Sequence, residues 1–395
     1  VLDLGEQYVS DFREDDSKPN KYPVEAVICE DCLLVQLKHT TPSGEMYHEN
    51  YGFKSGVSNS IKADLEEIVQ EGLSYKPMVE RWLDIASNDG TLLSYVPKSA
   101  FRVGIDPIAK YCEEARGHAD RVITDFFDRK YFSKEFDVVT SISCFYDMDD
   151  PNGFVAGVKE VLKDDGVWII QQNYLLTTMQ LNAVDNFCHE HLEYYTLYSL
   201  EKLLERHDLE VIDVSTSMVN GGSLRTVVAH KGAYPQQDTV ERQRAVERDY
   251  GLERVETYET FARDVEANLD ALKRLVDELN RAGKKVYILA ASTRGASIWQ
   301  SAGINETDCP YAVERNPEKV GKYFSAVGMP IISEEQARAD KPDYMLVGPW
   351  FFADEIIDRE SEYIKNGGAL IVPLPKLEII DAETIDSGSH RPLAA

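Results

Sequence analysis

From Trp82 onward the sequence switches between two periodicities, and that switching limits the architecture more than any single motif does. Apolar runs of strand length stand at Trp82 to Ile85, Phe101 to Ile105, Val122 to Thr124, Phe136 to Ile142 and Val167 to Ile170, with helical spacing between the first pairs and at Gly153 to Leu162. Strands that alternate with helices return in the same direction, so this stretch predicts a parallel sheet flanked by helices. A helix over Tyr198 to His207 follows, with Thr196 as its N-cap. Two further strands, Glu210 to Val214 and Ser223 to Ala229, are separated by the turn residues Asn220-Gly221-Gly222. A doubly wound sheet ending in a hairpin is expected.

The flanks read differently. Residues 1–60 form a small, loop-rich module with a Cys29-x-x-Cys32 pair, the apolar run Leu33 to Leu37 and a Tyr/Gly/Ser-rich loop from Met46 to Ser60. The α/β core spans 61–232 and opens on helical spacing at Ile61, Leu65, Ile68 and Val69. Over 233–282 the chain is highly charged, yet Val255, Phe261, Val265, Leu269, Leu272 and Leu279 recur at helical intervals, which predicts a pair of joining helices. Residues 283–395 repeat the βα pattern, with strands at Lys285 to Ala290, Tyr311 to Val313, Tyr344 to Val347 and Ala369 to Val372, as a second α/β domain.

Composition excludes some functions. The 395 residues carry a formal charge of -27, from 69 acidic against 42 basic residues, which argues against a nucleic-acid partner because such affinity comes from Lys and Arg neutralising phosphates. An anionic small substrate would need a locally basic pocket. No stretch approaches the roughly 20 apolar residues of a membrane span, and the first residues lack the features of a signal peptide, so a cytoplasmic protein is expected, a monomer or small homo-oligomer. In a reducing compartment Cys29 and Cys32 read as a zinc half-site or a redox pair.

Chemistry is suggested first at Asp84-Ile85-Ala86-Ser87-Asn88-Asp89-Gly90, where a strand runs into small and amide-bearing residues and then a helix start. Small residues admit a ligand to the backbone, and the helix N-terminus favours an anion. Asp106-Pro107 ends the next strand, where folds of this kind bind ribose hydroxyls. Asp125-Phe126-Phe127 offers an acceptor for an adenine amine and an aromatic wall. Without G-x-G-x-x-G a pyrophosphate is disfavoured, and the set points to S-adenosylmethionine.

Cys188-His189-Glu190-His191-Leu192-Glu193-Tyr194-Tyr195 is open to three readings. On an extended strand His189 and His191 would face one side and share a metal ion. Alternatively one histidine is a proton acceptor near neutral pH beside a carboxylate, or the pair is solvated surface.

Taken together, the motifs resemble the bacterial and archaeal sugar C-methyltransferases that act on nucleotide-linked 4-ketosugars. The resemblance runs nearly end to end, through Leu2-Asp3-Leu4-Gly5, Cys29-x-x-Cys32, Asn50-Tyr51-Gly52-Phe53-Lys54-Ser55-Gly56, Ser87-Asn88-Asp89-Gly90, His189-Glu190-His191-Leu192, Asn220-Gly221-Gly222-Ser223-Leu224-Arg225, Ala291-Ser292-Thr293-Arg294-Gly295, Glu314-Arg315-Asn316-Pro317-Glu318-Lys319-Val320-Gly321-Lys322, Gly348-Pro349-Trp350 and Val372-Pro373-Leu374-Pro375. It implies a zinc-binding N-terminal module, a class I (Rossmann-like) methyltransferase core and a C-terminal Rossmann-like domain. Carried onto this sequence, it implies S-adenosylmethionine held by Asp84, Ala86, Ser87, Asn88, Gly90, Asp106, Pro107, Asp125, Phe126 and Ser143. His191 is then the base at C3, with Glu190 beside it and Tyr51 as a donor to the enolate oxygen. The nucleotide-linked sugar would meet Phe53, Ser55, Asn173, Tyr174, Tyr195, Asn220, Arg225, Arg294 and Trp350, with the two arginines at the diphosphate.

This chain departs from the family pattern in three places. The family's other C-x-x-C precedes the L-D-L-G segment, so the module reads as truncated, and zinc is expected only if ligands beyond Cys29 and Cys32 are supplied, with His39 or His48 as candidates. Cys188 stands where many relatives carry tyrosine. Ala86 replaces a frequent glycine, which is tolerable if its φ is negative. Competing expectations are O- or N-methylation of a sugar or other small metabolite, a non-catalytic scaffold, and a zinc hydrolase built on the histidines.

Overall fold

The computed structural model describes residues 1–46 and 54–388. Numbered along the chain, β1 (Leu2–Tyr8), β3 (Lys21–Ile28) and β4 (Val35–Leu37) form an antiparallel sheet, and Val24 and Ala26 alternate onto its buried face. The short β2 (Phe12–Arg13) leaves this sheet for another. Between β3 and β4 the Cys29 to Cys32 turn closes on itself: Leu33 N–H donates to Cys29 O and Cys29 N–H to Leu34 O, each at 2.9 Å.

Helix α1 (Asn59–Tyr75) opens the core, capped by the Ser58 hydroxyl and burying Ile61, Leu65, Ile68 and Val69 on one face. The expected βα alternation follows as β5 (Arg81–Ile85), α2 (Thr91–Tyr95), β6 (Phe101–Asp106), α3 (Ala109–Ala115), β7 (Arg121–Thr124), β8 (Phe136–Ile142), α4 (Pro151–Val161) and β9 (Leu162–Asn173). Helix α5 (Leu175–Gln180), β10 (Glu193–Tyr194), α6 (Leu197–Glu205), β11 (Leu209–Ser217) and β12 (Ser223–His230) complete it. The sheet order is β11-β12-β9-β8-β5-β6-β7, in which only the pairings of β12 are antiparallel, so the hairpin is present and its second strand is wedged inside. Thr196 caps α6 in a reciprocal arrangement with Ser199. Strand β9 is longer than the apolar run, because Leu162 ends the helix and starts the strand at once. β10 pairs with β4, Tyr194 opposite Val35, so the segment after the histidines completes the N-terminal sheet.

The charged stretch forms two helices, α7 (Asp238–Tyr250) and α8 (Val255–Arg281). A second sheet then collects β13 (Val286–Leu289), β14 (Ala312–Glu314), β15 (Tyr323–Phe324), β16 (Met329–Ser333), β17 (Tyr344–Val347), β18 (Ala369–Val372) and β19 (Glu378–Ile380), with α9 (Thr293–Ser301) after β13. Its order is β19-β18-β17-β13-β14-β16-β15-β2. The outermost strand is therefore β2, and Phe12 stacks on Phe324 with centroids 5.7 Å apart. Periodicity missed β15, β16 and β19, which are too short or too interrupted by Gly and Pro to register. Among the described residues no helix is long and apolar enough to cross a membrane.

Candidate active site

Strand β5 delivers the chain into a turn of left-handed residues: φ is 58° at Ala86, 49° at Asn88 and 78° at Gly90. The positive φ at Ala86 is opposite to what the alanine suggested, and it explains a preference for glycine there. A Cβ on Gly90 would come within 2.8 Å of the Ala115 Cα, so α2 and α3 close on this turn only through a glycine. Asp106 holds the turn: Asn88 N–H donates to one carboxylate oxygen at 2.9 Å and Ile108 N–H to the other at 2.8 Å. Below it Asp84 accepts from Thr140 at 2.7 Å, and burial, reinforced by Asp106, pushes its carboxyl up to about 7.

A cavity of about 360 Å³ opens over this turn, lined by Ala86, Asn88, Asp106 and Pro107 on one side and by Asp125, Phe126 and Ser143 on another. Tyr131 donates to Asp125 and holds its carboxyl below the usual range. Asp84 and Ser87 line a narrow space of about 30 Å³ beside it. Ser55 lies in the wall of this cofactor-side cavity rather than the substrate side; its N–H donates to Asn88 Oδ1 at 3.1 Å.

A second cavity of about 250 Å³ lies between the core and the C-terminal domain, lined by Tyr146, Asn173, Glu190, His191, Asn220 and Arg294 among others. Ser143 and Asp147 belong to both walls, so the two cavities meet beyond the end of β8. Such crevices outside the carboxyl ends of strands are where open α/β sheets place their ligands.

Burial and fixed partners set the state of each group here. His191 Nδ1 lies 2.7 Å from Asn186 O, and since a carbonyl only accepts, Nδ1 carries the proton and Nε2 the lone pair. Burial, with the Arg294 charge adding to it, pushes this imidazole down to about 3. Tyr146 meets the ring edge-on, centroids 4.6 Å apart. Among the described residues Glu190 has no such anchor, and burial raises its carboxyl to about 7. Of the two, Glu190 exchanges its proton nearer neutral pH, whereas the motif led to the expectation that His191 is the base.

His189 is turned away, its Nε2 3.0 Å from Tyr22 O. The residues around the two histidines form a turn, with His191 N–H donating to Cys188 O at 3.2 Å, so the strand geometry needed for a shared metal does not exist. Glu193 just beyond is also buried, and its carboxyl is raised to about 9, first by burial and then by Asp149. A raised carboxyl contributes stability that is present below the model value of 4.5 and is lost as pH rises through about 9. Glu193→Gln should flatten that decline, so thermal melts of the variant and the parent should diverge in the variant's favour between pH 5 and pH 9.

Four residues expected at the substrate have other work. Arg225 is spent on Asp64 (2.7 Å) and Glu71 (3.2 Å) of α1 and on Gln171 (2.7 Å). Tyr174 donates to Glu247 at 2.7 Å; the same carboxylate accepts from Leu197 and Tyr198 N–H at the start of α6. Tyr195 stacks on Phe145 within the core. Trp350 is buried, its indole donating to Asp185 at 3.0 Å, and the neighbouring Phe351 reaches the cavity instead. Tyr51, Phe53 and His48 lie outside the described residues. Sequence reasoning missed Tyr146 and Asp147, whose position just after a parallel strand was the available signal, and Asp185, which had none.

Family models match three consecutive blocks of the chain: a putative zinc binding domain over residues 1–47, a methyltransferase domain over 58–214 and a C-methyltransferase C-terminal domain over 218–375. The last of these makes the chain similar to C-methyltransferases across its C-terminal domain. It is 29% identical to the C-methyltransferase NovU of Streptomyces niveus over 376 residues, 92% of this chain and 89% of that protein. Among solved structures it is similar to an S-adenosylmethionine-dependent methyltransferase from Clostridium acetobutylicum (16% identity, 45% of this chain and 94% of that one, TM-score 0.35). It is also similar to the mitomycin 7-O-methyltransferase MmcR (16% identity, 43% of this chain and 53% of that one, TM-score 0.36).

The methyltransferase domain makes the chain an S-adenosylmethionine-dependent methyltransferase, and the cavity over the β5 turn fits that cofactor. The left-handed backbone at Ala86 brings peptide groups to the surface, and the buried Ser87 hydroxyl has no partner among the described residues. Zinc fits less well. Cys29 is held below the usual thiol range by the Cys32 N–H, but among the described residues no group of three or more His, Cys, Asp or Glu could hold a metal ion. A structural zinc takes four ligands, and His39 pairs with Glu25 at 3.5 Å instead.

Proposed function

We propose that this methyltransferase methylates a nucleotide-linked 4-keto-deoxysugar at C3. What supports the reading is one juxtaposition: the cofactor cavity and the cavity carrying Glu190 and His191 share the Ser143 and Asp147 wall. A sugar carbon becomes nucleophilic only beside a carbonyl, so carbon methylation requires a base and a donor to the developing enolate oxygen.

Bound at Ala86, Asn88, Asp106 and Asp125, S-adenosylmethionine supplies an electrophilic methyl on a sulfonium. Glu190 takes the C3 proton as its carboxylate. The electron pair of that C–H bond passes to the enolate, whose C3 would bond the methyl group that a cofactor held by those residues would supply, the S–C pair departing with sulfur. Tyr146 is a phenol in reach of the enolate oxygen, held protonated by burial. His191 and Asn173 accept from and donate to the sugar hydroxyls, and the close fit between domains excludes water and aligns C3 with the methyl group.

The test is incubation of the enzyme with S-adenosylmethionine and a panel of nucleotide-linked 4-ketosugars, read by mass spectrometry and product NMR. A new C–CH3 signal at C3 is expected. An O–CH3 or N–CH3 product, or no turnover of any ketosugar, would overturn the reading.

A further inference from the structure

Among the described residues two cations line the substrate cavity, Arg294 and Lys319, and they are not equivalent. Arg294 is committed: Nε and Nη2 lie 2.8 and 2.7 Å from Asp185 Oδ2, and Nη1 donates to Asn220 O. Its charge is neutralised in the joint between domains. Lys319 is half-buried in the same cavity, and its Nζ donates to Ala291 O at 2.9 Å. An ammonium has three N–H groups, so two remain for a ligand. The Nζ sits 4.2 Å from the centre of the Phe12 ring, which fixes it laterally. Ser292 and Thr293, at the start of α9, line the same end of the cavity, where a helix N-terminus adds to the positive potential. Burial lowers the pKa of this lysine, and Lys110 of α3 adds its repulsion against the pull of Glu314 and Glu318. An anion entering here would relieve that repulsion. In a chain of net charge -27, a cavity lysine whose ammonium is not paired with a carboxylate among the described residues is the group that an anionic substrate needs.

We propose that Lys319 binds the diphosphate of the substrate, at the end of the cavity formed by Phe12, Ser292 and Thr293. The inference rests on the nucleotide-linked substrate proposed above and moves the diphosphate contact away from Arg225 and Arg294.

Calorimetric titration of the whole enzyme, with S-adenosylhomocysteine present, tests it using UDP, dTDP, GDP and ADP, each against its nucleoside. Losing a charge-assisted hydrogen bond should weaken the preferred diphosphate roughly tenfold to a hundredfold in Lys319→Ala, with nucleoside and S-adenosylhomocysteine affinities unchanged. Lys319→Arg should restore part of the loss, and Lys319→Gln repeats the measurement if the alanine variant does not fold. If the parent prefers the diphosphate and both neutral variants keep that preference, the role of Lys319 falls and the nucleotide-linked substrate stands. If the parent binds no diphosphate yet methylates a phosphate-free ketosugar, both fall.

Discussion

Glu190→Gln will lower kcat by roughly 10²–10⁴ while leaving S-adenosylmethionine affinity unchanged, the loss expected when a positioned general base is removed. The amide keeps the shape of the side chain and removes only its ability to take a proton. The pH profile carries the sharper test. Because burial raises Glu190 to about 7, its base form accumulates above that value, and kcat/KM of the parent should rise with pH through about 7 and then level off. In the Gln variant the residual rate should lose that limb. If His191 were the base, its pKa of about 3 would place the limb in acid and leave the rate flat around neutrality. His191→Ala should still lower turnover, with the limb near 7 intact. A flat profile in the parent, or a Gln variant that turns over normally, would remove Glu190 from the role of base.

Asp185→Ala should destabilise the protein by about 3–5 kcal/mol, the cost of breaking a buried ion pair from one side. The carboxylate is fully buried, accepts from Arg294 Nε and the Trp350 indole, and pairs with the Arg294 charge. Urea unfolding measures this directly, and a change below about 1 kcal/mol, as for an exposed pair, would contradict the assignment. A kinetic effect follows as well. Asp185 and Asn186 belong to one short helical turn, and the Asn186 carbonyl fixes the proton on His191 Nδ1. Loosening that turn should lower kcat more than it raises KM for the cofactor, whose cavity does not include it.

The cofactor half of the site was more legible in the sequence than the substrate half. β8, β17 and β18 occupy the residues their strand-like runs marked, because strands buried on both faces are written as largely apolar runs, even where β8 carries Asp137, Thr140 and Ser141. The β5 turn and Asp106 are likewise local, set by a strand end and the helix that follows. Arg225 shows where local reading stops. Its motif looked like a phosphate site, but its partners Asp64 and Glu71 sit on a helix far earlier in the chain, and only their meeting neutralises it. Tyr174 and Trp350 follow the same rule: a polar aromatic beside a site is buried once a distant carboxylate, Glu247 or Asp185, comes to take its hydrogen. Lys319 is the converse. Nothing within its own segment says that it faces the cavity; β2, from the other end of the chain, places Phe12 beneath it.

That placement of β2 bears on how the protein is made. The outermost strand of the C-terminal sheet comes from residues 12 and 13, and it pairs with residues roughly three hundred positions later, a separation whose closure is slow and entropically costly. On the ribosome the core can form as soon as β12 has emerged, but Phe12 must wait unpaired until Phe324 is synthesised. Truncation before Tyr323 therefore leaves an unpartnered aromatic strand at the opposite end of the chain. Degradation of incomplete chains should begin at the N-terminal segment, far from the break.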